Sequence, residues 1–149
     1  MSISTKIINL STVAALAAFG VVLSTGICQQ AQANDTLQPS QELQAGGQSI
    51  ASRNQRYFLS LQADGNLVLT DNAARRVLWA SNTSGVAVAK ATMQADGNLV
   101  MRGYNSKAIW ATNTENNNGA RLELQDDGNL VIYTSRNRVL WATHTRPLE

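Results

Sequence analysis

The sequence predicts an all-β domain built from three copies of one unit, and three observations carry that prediction. The string Leu61-Gln-Ala-Asp-Gly-Asn-Leu-Val68 returns as Met93-Gln-Ala-Asp-Gly-Asn-Leu-Val100 and again as Leu124-Gln-Asp-Asp-Gly-Asn-Leu-Val131, with glutamines at 62, 94 and 125. A tryptophan follows each copy, Trp79, Trp110 and Trp141, at a constant spacing of 31. Turn residues fall about every ten positions, and no stretch of the domain sustains a 3.6-residue period. A fixed period of this length is the signature of a repeated supersecondary unit, and it is weighed before any single element.

The chain opens with a segment that is not read as fold. Lys6 supplies a positive n-region, Val13 to Leu23 is an unbroken run of apolar residues and glycine, and Ala31-Gln32-Ala33 has the form of a cleavage site. These describe a secretory signal peptide over 1–33, because the run is too short to cross a bilayer. The one cysteine, Cys28, falls inside it; Ile27 stands before it where a lipid-anchor signal wants a small residue. Cleavage after Ala33 leaves 34–149, an ordinary single domain without a disulfide. Loss of Lys6 moves the formal charge from +2 to about +1. A near-neutral chain without basic clusters argues against nucleic acid, and no membrane insertion is expected after cleavage. The location implied is secreted: periplasmic or extracellular.

From Asn34 the elements follow in order. Residues 34–42 open the mature domain, Gly46-Gly47 turns the chain, and Gln48 to Ser52 reads as a short strand. After a turn at Asn54, Arg56 to Gln62 alternates apolar and polar residues as a half-buried strand does. Asp64-Gly65 predicts a two-residue type I′ hairpin, in which both central residues take positive φ. Asn66 to Thr70 returns, Asp71 to Ala74 turns, and Arg76 to Ala80 is the next strand. The pattern repeats from Val86 and from Ala120. The units are approximately 56–83, 87–114 and 119–145, and eleven or twelve short strands result.

Strand parity sorts the faces. Asn129, Val131 and Tyr133 point one way; Leu130 and Ile132 point the other, with Leu67, Leu69, Leu99 and Met101 their counterparts. These large residues fill a shared interior. Trp79, Trp110 and Trp141 join it, three indoles meeting near a pseudo-threefold axis, since each sits in an apolar strand.

Turn chemistry explains Asp-Gly in each copy. It does not explain a glutamine always two before the aspartate, or a valine always two after the asparagine. A carboxylate only accepts hydrogen bonds, while Gln and Asn amides both accept and donate. Such a set matches the adjacent hydroxyls of a neutral sugar, and the valine offers an apolar patch to its C–H face.

Gln-x-Asp-x-Asn-x-Val-x-Tyr, three times, with tails Ala80-Ser-Asn-Thr83, Ala111-Thr-Asn-Thr114 and Ala142-Thr-His-Thr145, resembles the bulb-type mannose-binding lectins of monocots such as snowdrop. Asp35-Thr-Leu resembles the start of that domain, so the resemblance spans 34–149. It implies a β-prism II fold, three four-stranded antiparallel sheets with pseudo-threefold symmetry, and binding of mannose-type glycans with no metal or other cofactor. By that resemblance Asp127 and Asn129 bond the axial 2-hydroxyl, Gln125 the 3-hydroxyl and Tyr133 the 4-hydroxyl, while Val131 packs on the ring carbons. Two units depart from it: Thr70 and Arg102 stand where the tyrosine belongs, and Tyr104 comes two residues late. The 121–133 site is therefore expected to bind best. The sets Gln62, Asp64, Asn66, Val68 and Gln94, Asp96, Asn98, Val100 are expected to be degraded. Family members often dimerise by exchanging C-terminal strands; a homodimer here would exchange 144–149, its ladder shortened by Pro147.

Two other classes compete. An enzyme lacks residues to run it: His144 is the one histidine, it replaces Asn82 and Asn113 in the repeat, and Asp126-Asp127 are neighbours in a turn instead of facing each other across a cleft. The alternative that keeps the fold is a protein-binding or bacterial antagonism (bacteriocin-like) role with reduced sugar binding, which the two degraded sites allow.

Overall fold

The computed structural model describes residues 34–146, and no helix occurs among them. The signal-peptide reading of 1–33 and the exchange role of 147–149 lie outside the described residues. Twelve strands follow in order: β1 (Thr36–Leu37), β2 (Glu42–Gln44), β3 (Gln48–Ala51), β4 (Tyr57–Leu61), β5 (Leu67–Asp71), β6 (Arg76–Ala80), β7 (Val88–Met93), β8 (Leu99–Gly103), β9 (Ala108–Ala111), β10 (Arg121–Leu124), β11 (Leu130–Tyr133) and β12 (Val139–Ala142). They form three four-stranded antiparallel sheets, ordered β3-β4-β5-β6, β2-β7-β8-β9 and β1-β10-β11-β12.

Each repeat supplies three consecutive strands, and the opening segment supplies the fourth to every sheet. The opening residues, to which the sequence assigns no element before Gln48, hold two of these strands: β1 pairs with β10, with Leu37 opposite Leu122, and β2 pairs with β7, with Leu43 opposite Ala91. Both strands are too short to show alternation, and their partners lie in distant repeats.

The interior follows from alternation along the middle strands. Leu59, Leu61, Leu67, Leu69, Met93, Leu99, Met101, Leu122, Leu124, Leu130 and Ile132 are essentially without exposed surface. Burying each such side chain contributes roughly 1.5–3 kcal/mol, against about 0–1 kcal/mol for an exposed ion pair, so this interior decides the fold. Trp79, Trp110 and Trp141 pack on it and on one another edge to face, with centroids 5.7, 5.7 and 6.2 Å apart. The outer strand of each unit carries one extra residue at the same place: the register slips between Leu69 and Thr70, Met101 and Arg102, and Ile132 and Tyr133. The residues left over, Leu78, Ile109 and Leu140, pack against the core. Such a bulge bends the strand and re-aims the side chain beside it.

The hairpin at Asp-Gly is not the two-residue type I′ turn. Gln62 N–H donates to Asn66 O at 2.9 Å and Gly65 N–H to Gln62 O at 3.1 Å, which leaves a three-residue loop of Ala63, Asp64 and Gly65. Only the glycine takes positive φ: +87° at Gly65, +94° at Gly97 and +81° at Gly128. This is the tight turn plus left-handed residue of three-residue hairpins. Each aspartate is thereby left with negative φ, and its Oδ1 accepts the N–H of the asparagine two residues on, at 3.0 Å in all three units. Space adds a second demand for glycine. A Cβ at Gly97 would collide with the Asn117 carbonyl oxygen, and one at Gly128 would lie 2.7 Å from the Tyr57 ring.

One buried charge ties down the first sheet. Asp71 ends β5 with no exposed surface. Arg56 donates Nε and Nη2 to its two oxygens at 3.0 and 2.8 Å, and the N–H groups of Ala73 and Ala74 reach Oδ1 at 3.1 Å each. The Arg56 guanidinium holds the carboxyl down at about 2, from the usual 3.8. A depressed folded value means the contribution is complete above the unfolded pKa, roughly pH 4, and is lost as pH falls towards 2. Thermal melts from pH 5 to 2 should therefore show a steep acid loss in the wild type and a shallower one in Asp71→Asn, which melts lower at pH 7. Parallel curves for the two proteins would assign the acid loss to other groups.

Candidate functional site

The third repeat places its five motif residues along one hairpin. Gln125 enters the loop, Asp127 lies in it, Asn129 closes it, and Val131 and Tyr133 continue on the outer side of β11. Gln125 Nε2 donates to Tyr133 Oη at 2.7 Å, a bond made only in this unit. The tyrosine hydroxyl thus accepts from the amide and keeps its own proton for a ligand. The Arg121 guanidinium lies over the Tyr133 ring, 5.3 Å from its centroid. Val131 is only 2% exposed, so it forms the floor of the arrangement and offers little open surface.

Asn129 is turned to a defined orientation. Its Oδ1 accepts the Thr143 hydroxyl at 3.3 Å, and Thr143 also takes the Leu130 N–H at 3.1 Å. Thr143 pairs with Thr145 at 2.8 Å, and Thr145 donates to the Gly128 carbonyl at 2.6 Å. Among the described residues no acceptor meets Asn129 Nδ2, yet no side-chain polar atom among them is buried without a partner. The Nδ2 donor therefore reaches the surface. Acceptor oxygens of Asp127 and Gln125, the Asn129 donor and the Tyr133 hydroxyl make a mixed set suited to neighbouring hydroxyl groups.

The same hydroxyl clamp recurs in every unit. Ser81 and Thr83 hold Asn66 and the Gly65 carbonyl; Thr112 and Thr114 hold Asn98 and the Gly97 carbonyl. The tails are legible in the sequence as part of the repeat, but the task of their hydroxyls is not. Their signal is a hydroxyl residue at both positions, three times. The residue between them is left-handed in each case, Asn82 at φ +57°, Asn113 at +56° and His144 at +54°. Asn and His tolerate that region better than most residues, which accounts for the lone histidine as a backbone element.

The first two units hold the same framework with different outer groups. Val68 and Val100 are buried like Val131. Thr70 turns its hydroxyl towards Phe58 O and Asn72 at 3.4 Å each, and Arg102 Nη1 donates to Ser106 O at 3.1 Å. Neither residue gives Gln62 or Gln94 the hydroxyl partner that Tyr133 gives Gln125. Tyr104 stands 78% exposed in the turn after β8 and does not replace it. The remaining outward polar atoms are partly engaged. Asp64 Oδ2 accepts the Ser84 hydroxyl at 2.7 Å, which holds its carboxyl below the ordinary value, and Asn98 Nδ2 donates to Glu115 Oε2 at 3.2 Å. In the third unit Arg146 Nε pairs with Asp127 Oδ2 at 3.0 Å.

Three antiparallel sheets around a shared tryptophan centre, each with an outward polar hairpin, define a β-prism II domain of the lectin class. No family model matches the chain, and no curated protein does. Solved structures do. A monomeric monocot mannose-binding lectin from Gastrodia elata is 43% identical, with 76% of this chain and 100% of that one covered at a TM-score of 0.68. The mannose-specific agglutinin of snowdrop, Galanthus nivalis, solved with methyl-α-D-mannoside, is 35% identical over 76% of this chain and 99% of that one, at 0.61. The Polygonatum cyrtonema lectin, solved with a monomannoside, is 34% identical over 77% and 100%, at 0.62. The chain belongs to the bulb-type lectin family.

Proposed function

We propose that this protein is a non-enzymatic, metal-independent lectin for mannose and mannose-containing glycans, binding chiefly through Gln125, Asp127, Asn129, Val131 and Tyr133. The observation that carries the reading is the Gln125–Tyr133 bond beside an Asn129 amide whose donor faces outward, an arrangement the other two units lack. One shallow site supports a dissociation constant near millimolar, about −4 kcal/mol. Calorimetric titration with methyl-α-mannoside in EDTA should give such binding, with none for the 2-epimeric glucoside. Abolition of binding by EDTA would remove metal independence, and silence towards every mannoside would remove the lectin reading.

The same proposal has residues 1–33 removed after Ala33 and the protein secreted. An exported product beginning elsewhere than Asn34 would contradict it. Avidity would come from a homodimer exchanging 144–149, which a strictly monomeric mass in solution would exclude. A second reading, a protein-binding or antagonism role, draws on the engagement of the first two cradles by Ser84 and Glu115. A glycan array without signals favours it.

A further inference from the structure

The residue five positions after each tryptophan reaches back onto the hairpin of its own repeat. Ser84 follows Trp79, Glu115 follows Trp110 and Arg146 follows Trp141, each directly after the clamp threonine. All three meet the outward polar atoms of the motif: Ser84 Oγ on Asp64 Oδ2 at 2.7 Å, Glu115 Oε2 on Asn98 Nδ2 at 3.2 Å, and Arg146 Nε on Asp127 Oδ2 at 3.0 Å. Position is shared but chemistry is not, since one is a hydroxyl, one a carboxylate and one a guanidinium. The repeat geometry delivers any residue at this position to the same place. The tail threonine is fixed to the glycine carbonyl in every unit, so the next side chain leaves beside the cradle.

We propose that this position is the selector of each cradle: its side chain is an internal occupant that a sugar hydroxyl must displace, and at the third site Arg146 competes with mannose for the Asp127 carboxylate. The inference rests on the lectin reading above, because it takes Asp127 to be the acceptor for the sugar. Both partners are open to water, with Arg146 69% and Asp127 38% exposed. An exposed ion pair of this kind is formed in roughly 60–85% of molecules, so only the remainder present a clear carboxylate. Apparent affinity scales with that competent fraction. Removing the guanidinium should then strengthen binding by about two- to sixfold. Salt acts in the same direction, because it screens an exposed pair. Wild-type affinity should therefore rise with salt, whereas a bond between a carboxylate and a neutral hydroxyl is nearly indifferent to it.

The test is a titration of the full chain and of Arg146→Ala with methyl-α-mannoside, followed through backbone amide signals of 125–133 at low and at moderate salt. The variant is expected to bind about two- to sixfold more tightly at low salt and to lose the salt dependence. Equal affinity in the two proteins would make Arg146 a bystander, and weaker binding would make it a contact to the sugar; either overturns the proposal while leaving the lectin reading intact. No binding by either protein overturns the lectin reading, and the proposal with it.

Discussion

Asp127→Asn should remove measurable mannose binding, while Asp64→Asn and Asp96→Asn leave it close to wild type. The substitution is nearly isosteric. A neutral amide oxygen can still accept the Asn129 N–H that Asp127 Oδ1 accepts at 3.0 Å, so the three-residue loop keeps its shape. What changes is Oδ2, an ionised acceptor replaced by a donor. A hydrogen bond to a charged group contributes roughly 1.5–3 kcal/mol, which corresponds to about 10- to 150-fold in affinity. Starting from a site near millimolar, that loss takes binding beyond ordinary titration. Asp127→Ala should give the same loss and also loosen the turn. The contrast with the other two aspartates follows from the tyrosine: Gln125 has Tyr133 as its partner, whereas Thr70 and Arg102 bond elsewhere and leave Gln62 and Gln94 without one. Titration of the three variants against methyl-α-mannoside decides the matter. Undiminished binding by Asp127→Asn would place the sugar elsewhere on the molecule.

Much of this architecture could be read from residue spacing. Strand alternation assigned Leu67, Leu69, Leu99, Met101, Leu130 and Ile132 to one face, and all six are buried there. That works because burial acts on single residues at a fixed period, and each repeat reports it independently. The features that escaped depend on atoms brought together across distance. β1 and β2 are held by ladders to β10 and β7, far along the chain, and their few residues carry no pattern of their own. Asp-Gly suggested a two-residue turn, but the preceding Ala63, Ala95 or Asp126 belongs to the loop, because the glutamine and asparagine pair directly across it. The side-chain direction of Asn129 is likewise set by Thr143, just past the end of β12. Arg146 could be counted from Trp141, yet its approach to Asp127 follows only once the clamp of Thr145 on Gly128 fixes where the tail leaves.

Trp110→Ala should be among the most destabilising single changes in the domain, and its effect should reach every unit. The indole meets Trp79 at 5.7 Å and Trp141 at 6.2 Å, both edge to face, so one truncation removes two of the three aromatic contacts at the centre. Large-to-small replacement of a packed tryptophan costs about 3–5 kcal/mol, through lost burial and the cavity left behind. Aromatic pairs of this geometry add roughly 0.5–1.5 kcal/mol each. Set against about 5–15 kcal/mol for a whole domain, the loss is a large share of the total. No cysteine lies in 34–149, so no disulfide shares the load. Trp110→Phe, which keeps an aromatic edge, should lose much less. Urea denaturation followed by circular dichroism should show a midpoint far below wild type for alanine and an intermediate one for phenylalanine. The consequence for binding runs along β12: Trp141 is two residues from Thr143, whose hydroxyl orients Asn129. A loosened centre should therefore weaken mannose binding at the third site even though Trp110 lies in another sheet. A Trp110→Ala protein with wild-type stability would show that the three indoles are neighbours without being a keystone.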